Sequence, residues 1–237
     1  MLQLENVTVR FGGLTAVNDV SMTIGKDDLV GLVGPNGAGK TTLFNAISGL
    51  AQPTAGRIGF DGIDMLRMPL HRRARLGIGR TFQIPQPMHQ LTVRENLVVA
   101  QRFGTGKVDR AHIDDILTFL NLWDKADRDA ATELALTELK ALELGKALAT
   151  SPKVLLLDEV LGGLETAGKR HFMDTLRRIH ERYRTGILII EHDIETIMNL
   201  CRRVCVLNFG SLMADGAPAE VFRDPEVVKS YTGGAHA

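Results

Sequence analysis

The chain has 237 residues, of which 44% are hydrophobic and 24% are charged, a composition typical of globular proteins and not of disordered or fibrous ones. Twenty-eight Lys and Arg residues balance 28 Asp and Glu residues, so the net charge is zero and no overall field favours nucleic acid as a partner. The apolar runs are too short to cross a bilayer, and we expect a cytoplasmic chain without a membrane-spanning segment.

Residues 1–30 alternate between apolar and polar side chains, the period-two pattern of antiparallel strands with one solvent-facing side. The continuous apolar run LVGLV at 29–33 predicts a buried strand, and GRIGF at 56–60 continues the β structure. Helical spacing and few β-branched residues predict a helical segment at about 90–150. Strands are predicted again for VLLLDE (154–159), GILIIE (186–191) and RVCVLN (203–208).

Repeated strand–helix units predict an α/β fold with a mostly parallel sheet. The predicted architecture is an α/β core with a mostly parallel sheet, an N-terminal antiparallel β subdomain and a helical subdomain. One domain spans residues 1–237: the core, with the antiparallel β part, comes from 1–89 and 151–237, and the helical subdomain from about 90–150.

The strongest motif is GPNGAGKTT at residues 34–42, a phosphate-loop pattern between a predicted strand and a predicted helix. Its glycines let backbone N–H groups turn toward phosphates, Lys40 neutralises phosphate charge, and the Thr41 hydroxyl can ligate Mg²⁺. A glycine-rich connector without a ligand is the alternative, which the strand–loop–helix context disfavours. The motif predicts that the α/β core is a P-loop NTPase core that binds a nucleotide. The predicted ATP-binding residues of the loop are Asn36, Gly37, Ala38, Gly39, Lys40, Thr41 and Thr42.

Two carboxylates end the predicted strand VLLLDE, where α/β sheets bind their ligands. We expect Asp158 to hold Mg²⁺ through water and Glu159 to polarise an attacking water molecule. The alternative is an acid pair that simply ends a strand in solvent. His192 directly follows the next strand, and the order of the three motifs favours a γ-phosphate contact over a surface histidine.

With this order of motifs the chain resembles the ATP-binding cassette family, the ATPase subunits of membrane transporters, over nearly its whole length. The resemblance implies that Gln83 in RTFQ is the Q-loop glutamine, which contacts Mg²⁺ and water, and that His192 is the switch histidine. It also implies that Phe11 stacks on adenine, with Val17 in the same nucleotide site, although an aromatic residue near a strand end is more often part of the core.

Within the family, GIGRTFQIPQPMHQLTVRENL and VLNFGSLMADGAPAEVF resemble ATPase subunits of branched-chain amino-acid uptake systems. PLHRRARLGIG is also similar to the lipopolysaccharide-export ATPase. The resemblance implies a second ATPase subunit in a homo- or heterodimer, transmembrane permease subunits, an indirectly associated substrate-binding protein, no nucleic acid, and a location on the inner face of the cell membrane.

The signature segment, usually LSGGQ in this family, aligns with LALTELKALELGKALA at 134–149. Ala135 replaces the serine, and Thr137 replaces the glycine that faces phosphate, so we predict weakened closure and a reduced ATPase rate. The aligned residues are Ala135, Leu136, Thr137 and Glu138. A degenerate regulatory subunit of a heterodimer is an alternative. A small-molecule kinase is disfavoured because Glu159 with His192 suits water activation.

Two further features do not decide the function. A basic run without acids contains Arg67, His71, Arg72, Arg73, Arg75 and Arg80. A solvated helix face is the favoured interpretation of this run, with a partner surface or anionic headgroups as the alternative. Cys201 and Cys205 are four residues apart, which on a helix would put both on one face, and we expect buried reduced thiols.

Overall fold

The computed structural model describes residues 1–232. Its first half contains β1 (Leu2–Phe11), β2 (Leu14–Ile24), β3 (Leu29–Val33), α1 (Lys40–Ser48), β4 (Ala55–Phe60), β5 (Ile63–Asp64), α2 (Leu70–Leu76), β6 (Ile78–Arg80), α3 (Val93–Thr105) and α4 (Arg110–Phe119). A 3₁₀ turn (Trp123–Lys125) is followed by α5 (Leu136–Ala149), β7 (Val154–Asp158), α6 (Thr166–Tyr183), β8 (Gly186–Ile190), α7 (Ile194–Leu200), β9 (Arg203–Asn208), β10 (Ser211–Gly216), α8 (Pro218–Val221) and α9 (Pro225–Thr232).

The N-terminal strands form an antiparallel sheet with the order β2-β1-β4-β5. The alternating pattern of β1 buries Leu2, Leu4, Val7 and Val9 on the core side, while the intervening residues are mostly exposed. The period-two pattern therefore gives this antiparallel sheet one face in the core and one face in solvent.

The second sheet has six strands in the order β10-β9-β3-β8-β7-β6, and all its neighbours pair in parallel except β9 with β10. Strands β3, β7 and β8 are buried along their whole length, as expected for a parallel sheet covered on both faces. Because these strands are neighbours and run the same way, the segments after Val33, Asp158 and Ile190 meet at one edge. This edge carries the candidate site.

Two apolar clusters pack on the sheets. One joins β1, β2 and β4 to α1, and the other joins α3, α4 and α5 to α6 and the strands. These layers confirm the predicted α/β class, with an antiparallel β part and a mostly parallel sheet. Across residues 1–232, no helix is both long enough and apolar enough to cross a bilayer.

The interpretation of the basic run needs correction. Arg67, His71, Arg72 and Arg75 are exposed, as expected for a solvated face, but the Arg73 side chain is fully buried and that of Arg80 nearly so. The prediction of buried thiols is confirmed, although Cys201 follows the end of α7 and Cys205 lies within β9. Both cysteines are free and buried, and burial raises the pKa of each thiol to about 12.

Candidate functional site

The loop between β3 and α1 depends on glycine at two close approaches. Gly34 has φ +145°, and a Cβ there would lie 2.1 Å from the carbonyl oxygen of Leu207. Gly39 has φ +101°, and its Cβ would lie 2.3 Å from the carbonyl oxygen of Ala16. Only glycine fits these positions. The loop therefore wraps closely on its neighbours and directs the N–H groups of the first turn of α1 outward.

Lys40 is the first residue of α1, and its side chain folds back over the loop. Its ammonium group donates to the carbonyl oxygens of Gly34 at 2.7 Å and of Pro35 at 2.9 Å. Burial lowers the pKa of Lys40, and the charges of Glu159 and Asp158 oppose that shift. Lys40 thus adds its positive charge to the positive end of the helix dipole, a combination that suits a phosphate chain.

A cavity of about 450 Å³ opens over this loop, a volume typical of small-molecule sites. Its floor is the loop, from Asn36 to Thr42. Its walls come from Phe11, Leu14, Thr15, Ala16, Glu159, His192, Phe209 and Gly210. The structure therefore brings Phe11, the whole predicted phosphate loop and two of the predicted catalytic residues to one cavity.

Glu159 lies at the centre of the polar wall. Its carboxylate accepts a hydrogen bond from Gln83 Nε2 at 2.6 Å, and its other oxygen is 2.5 Å from His192 Nε2. The backbone of Glu159 is left-handed, with φ +49°, and its N–H bonds to the carbonyl oxygen of Ile190. A non-glycine residue held in this region is a feature of functional sites. Three residues that are far apart in sequence thus meet where a water molecule could be polarised.

Asp158 ends β7 and is almost fully buried. Its Oδ2 accepts a hydrogen bond from Arg80 Nη2 at 3.3 Å, and both side chains are 6% exposed. Burial raises the pKa of Asp158, and the charge of Arg80 opposes that shift. The Asp158 carboxylate therefore lies in a polar environment built by the protein rather than in solvent.

The donor chemistry fits Mg²⁺. The Thr41 hydroxyl, the Gln83 amide oxygen and the Asp158 carboxylate are oxygen donors of the kind that this hard cation prefers. Residues 1–232 contain no group of three or more His, Cys, Asp or Glu residues arranged to hold a metal. Mg²⁺ is usually bound through one or two carboxylates together with phosphate oxygens and water, so a single carboxylate, that of Asp158, fits this cation.

The signature residues lie elsewhere. Ala135 is the N-cap residue of α5, but its side chain makes no capping hydrogen bond. The Glu138 carboxylate accepts a hydrogen bond from the Ala135 N–H at 2.8 Å. Lys125 pairs with Glu138 at 2.7 Å. None of the four residues lines the cavity of its own chain. The start of α5 therefore presents its N–H groups to a different surface.

Val17 and the β9–β10 turn differ from the expectation. Val17 packs in the core, whereas its neighbours Thr15 and Ala16 line the cavity. The sequence reasoning also missed Phe209, which is 89% exposed with φ +45°. Gly210 joins this turn to the loop through a bond from its N–H to the Ala38 carbonyl oxygen at 3.0 Å. The register of β2 against β1 shifts at Val17, so simple alternation does not assign this residue to a face, and no sequence signal places Phe209 beside the loop.

Two family models match the chain. One, described as "ABC transporter", matches residues 17–162, and the other, described as "Branched-chain amino acid ATP-binding cassette transporter", matches residues 211–237. The high-affinity branched-chain amino acid transport ATP-binding protein BraF of Pseudomonas aeruginosa is 35% identical, over 99% of this chain and 98% of that protein. The lipopolysaccharide export system ATP-binding protein LptB of Haemophilus influenzae is 32% identical, over 98% of this chain and 97% of that protein.

Solved structures agree with these relatives. The ADP conformation of MJ1267, an ATP-binding cassette of an ABC transporter, is 31% identical with a TM-score of 0.89, and the match covers 98% of each chain. A nucleotide-free ATP-binding cassette from an ABC transporter is also 31% identical, with a TM-score of 0.86 over 98% of this chain and 99% of that one. Sequence and fold therefore match over nearly the whole chain.

Proposed function

Because the chain belongs to the ATP-binding cassette transporter family, we propose that it binds and hydrolyses ATP to drive a membrane importer of branched-chain or related amino acids. The observation that carries the proposal is the meeting of Lys40, Glu159 and His192 around one cavity. The match of residues 211–237 to the branched-chain model and the relatives of that name support amino acids as the cargo class. Lipopolysaccharide export is the second candidate, supported by the 32% identical relative.

In the proposed mechanism, Lys40 and the N–H groups of the first turn of α1 bind the β- and γ-phosphates. The exposed ring of Phe11 stacks on the base. Glu159 accepts a proton from the attacking water as the new P–O bond forms and the bond to ADP breaks. Gln83 and His192, each bonded to Glu159, orient its carboxylate. Thr41, Gln83 and, through water, Asp158 would hold Mg²⁺, which when bound would supply positive charge beside the phosphates.

The separation of the signature residues from the cavity supports a dimer. N–H groups at the start of α5 are suited to a γ-phosphate but lie away from the chain's own loop. We therefore propose that a second ATPase subunit supplies its residues 135–138 to this cavity. Loss of the serine and glycine in this segment reduces the contacts to phosphate, so we propose slow hydrolysis, with a regulatory role in a heterodimer as the second possibility.

A groove of about 250 Å³ beside Gln83 suits a permease segment. It runs between α2, α3 and α5 and is mostly apolar, with Leu70, Phe82, Met88, Ala100 and Ala147 among its lining residues. Phe82 and Ile84 next to it are exposed. We propose that a permease subunit binds here, which would keep the chain on the inner face of the membrane.

Purified protein tests the ATPase proposal. We expect Glu159→Gln to abolish ATP turnover while retaining ATP binding and trapping a dimer, detected by light scattering. Glu181→Gln, the same chemical change on the exposed surface of α6, is the matched control. It should leave ATP turnover, ATP binding and the oligomeric state unchanged. Lys40→Ala should weaken ATP binding about 10- to 100-fold, since it removes charge-assisted hydrogen bonds. Unchanged binding would refute the phosphate-loop assignment, and turnover only after addition of a second ATPase subunit would favour the regulatory role.

A further inference from the structure

The basic run in the sequence contains two arginines with buried side chains, Arg73 and Arg80, and the two side chains bond different kinds of partner. The Arg73 guanidinium donates to five backbone carbonyl oxygens, those of Met68, Ala46, Ile47, Met65 and Leu66. Arg80, at the end of β6, instead contacts the side chains of Asn45 and Ser48 on α1 and the carboxylate of Asp158. Only Arg80 of these two pairs with a carboxylate.

The Arg80 guanidinium joins three elements. Nη1 donates to Asn45 Oδ1 at 2.8 Å and to Ser48 Oγ at 2.7 Å, both on α1, the helix that begins at Lys40. Nη2 donates to Asp158 Oδ2. The guanidinium carbon also lies 5.1 Å from the ring centroid of Phe82, the residue before Gln83. One planar cation therefore contacts the phosphate-loop helix, the end of β7 and the start of the Q-loop.

Burying the Arg80–Asp158 ion pair costs desolvation free energy, so a contribution to fold stability does not by itself explain the pair. The Arg80 and Asp158 side chains are each only 6% exposed, so folding removes both charges from water. Within residues 1–232, Nε of Arg80 is one of three buried side-chain atoms without a hydrogen-bond partner. A buried ion pair is weak evidence for stability, because apolar residues of similar volume often do as well. The pair is therefore better explained by its position beside the site than by the stability of the fold.

We propose that Arg80 is a positioning residue that fixes the Asp158 carboxylate against α1 and links it to the Q-loop. The proposal rests on the proposed function, because it concerns how the chain binds ATP with Mg²⁺. With Oδ2 bonded to Arg80, the other carboxylate oxygen is left for a metal-bound water. Phe82, stacked on the same guanidinium, sets where the Q-loop begins, one residue before Gln83.

Replacement of Arg80 should change the position of the Asp158 carboxylate. The remaining nearby cation is Lys40, whose charge already acts on Asp158. Without Arg80, the carboxylate and Lys40 would attract each other more strongly, and neither would be held for the metal or the phosphates. The expected defect is thus in metal-dependent nucleotide binding rather than in nucleotide binding in general.

The test compares the affinity of a fluorescent ATP analogue in Mg²⁺ and in EDTA for the full chain. For Arg80→Gln, we expect the ratio of the two affinities to fall about tenfold, with a smaller change in EDTA, because a misplaced carboxylate affects chiefly the metal-bound form. Arg80→Lys keeps the positive charge but not the planar set of N–H donors of the guanidinium. Its affinity ratio should lie between those of Arg80→Gln and the wild type.

Arg73→Gln is the matched control, since it removes an arginine at least as buried that bonds no side chain of the site. It should lower the melting temperature and, because Arg73 bonds carbonyl groups of α1 and not Asp158, any loss of ATP affinity should be equal in Mg²⁺ and in EDTA, so that the ratio is unchanged. Asn45→Ala is a milder variant that removes one anchor of Arg80 without touching the phosphate loop or Asp158, and it should shift the ratio in the same direction as Arg80→Gln.

Two results would overturn the proposal: a lower melting temperature with an unchanged ratio in Arg80→Gln, or, if that variant does not fold, an unchanged ratio in both Arg80→Lys and Asn45→Ala. A wild-type chain that binds no ATP in either buffer would instead refute the proposed function, and this inference with it.

Discussion

Replacing Ala135 by serine would complete a capping box at the start of α5 and would place a hydroxyl in the segment that we propose contacts phosphate. Ala135 has the extended backbone of an N-cap residue, with φ −71° and ψ 164°, but its methyl group accepts no hydrogen bond. The Glu138 carboxylate already accepts the Ala135 N–H. A serine hydroxyl would accept the Glu138 N–H and complete the reciprocal pair.

The expected gain is about 1 kcal/mol in the free energy of unfolding, the usual difference between serine and alanine at an N-cap. For a chain of this size, this gain raises the melting temperature by about 2–4 °C, which calorimetry resolves. Ala135 is exposed, so the hydroxyl meets no packed neighbour. Ala141→Ser, within the same helix, is the matched control, and we expect a loss of about 0.5 kcal/mol because serine is the poorer helix former. A melting temperature that does not rise in Ala135→Ser would refute the N-cap assignment.

The same position tests the function of the segment. Ala135→Ser combined with Thr137→Gly should raise ATP turnover about 10- to 100-fold, the effect of regaining a hydroxyl contact to a charged group. Glycine is less favourable than threonine at an exposed helix position by only about 0.5 kcal/mol, so the double variant should keep about half of the stability gained by Ala135→Ser. Unchanged turnover in a folded double variant would show that residues 135–138 are not the segment that contacts phosphate.

Two further predictions concern the loop and the sheet edge. Gly39→Ala should destabilise the chain and abolish ATP binding, because its Cβ would lie 2.3 Å from the Ala16 carbonyl oxygen; Gly12→Ala, with φ +59° and nothing within 4 Å of its Cβ, should cost only about 1–2 kcal/mol and leave binding intact. Equal losses in the two variants would argue against a tight loop. Hydrogen bonds from Arg203 lower the pKa of Asp215, so this pair contributes stability above the ordinary Asp value of 3.8 and loses it as the pH falls through the lowered native value. Asp215→Asn should cost about 1 kcal/mol near pH 7 and flatten the acid limb of urea-unfolding stability, and an unchanged acid limb would contradict the assignment.

The candidate site was largely predictable because each of its segments is a short motif at the end of a strand in one parallel sheet. The phosphate loop is nine contiguous residues, and the strands on either side of it are apolar runs that can only be buried. Parallel strands end at a common edge, so the residues that follow β7 and β8 had to approach Lys40. The meeting of Glu159 with His192 at that edge follows from these two facts alone.

The roles of the arginines could not be predicted in this way. A run of basic residues has the same pattern whether the side chains face solvent or bond carbonyl groups, because the acceptors are distant in sequence. The Ala46 carbonyl is 27 residues from Arg73, and Asp158 is 78 residues from Arg80. The absence of Asp and Glu from the basic run is the one feature of the sequence that indicates these buried roles. An arginine without a nearby acid has to find its acceptors elsewhere, and in this fold two of them find acceptors in the interior.

Helix α1 shows why these distant cations matter. A helix that binds phosphate at its N-terminus has unsatisfied carbonyl groups and partial negative charge at its other end. α1 has no basic residue in its last turn to complement that charge. Arg73 supplies the cation from α2, with bonds to the Ala46 and Ile47 carbonyl oxygens at 2.6 and 2.8 Å, and Arg80 holds the same helix through Asn45. The short helix beneath the phosphate loop is therefore fixed by charges from other elements, and a prediction confined to α1 and its loop would miss them.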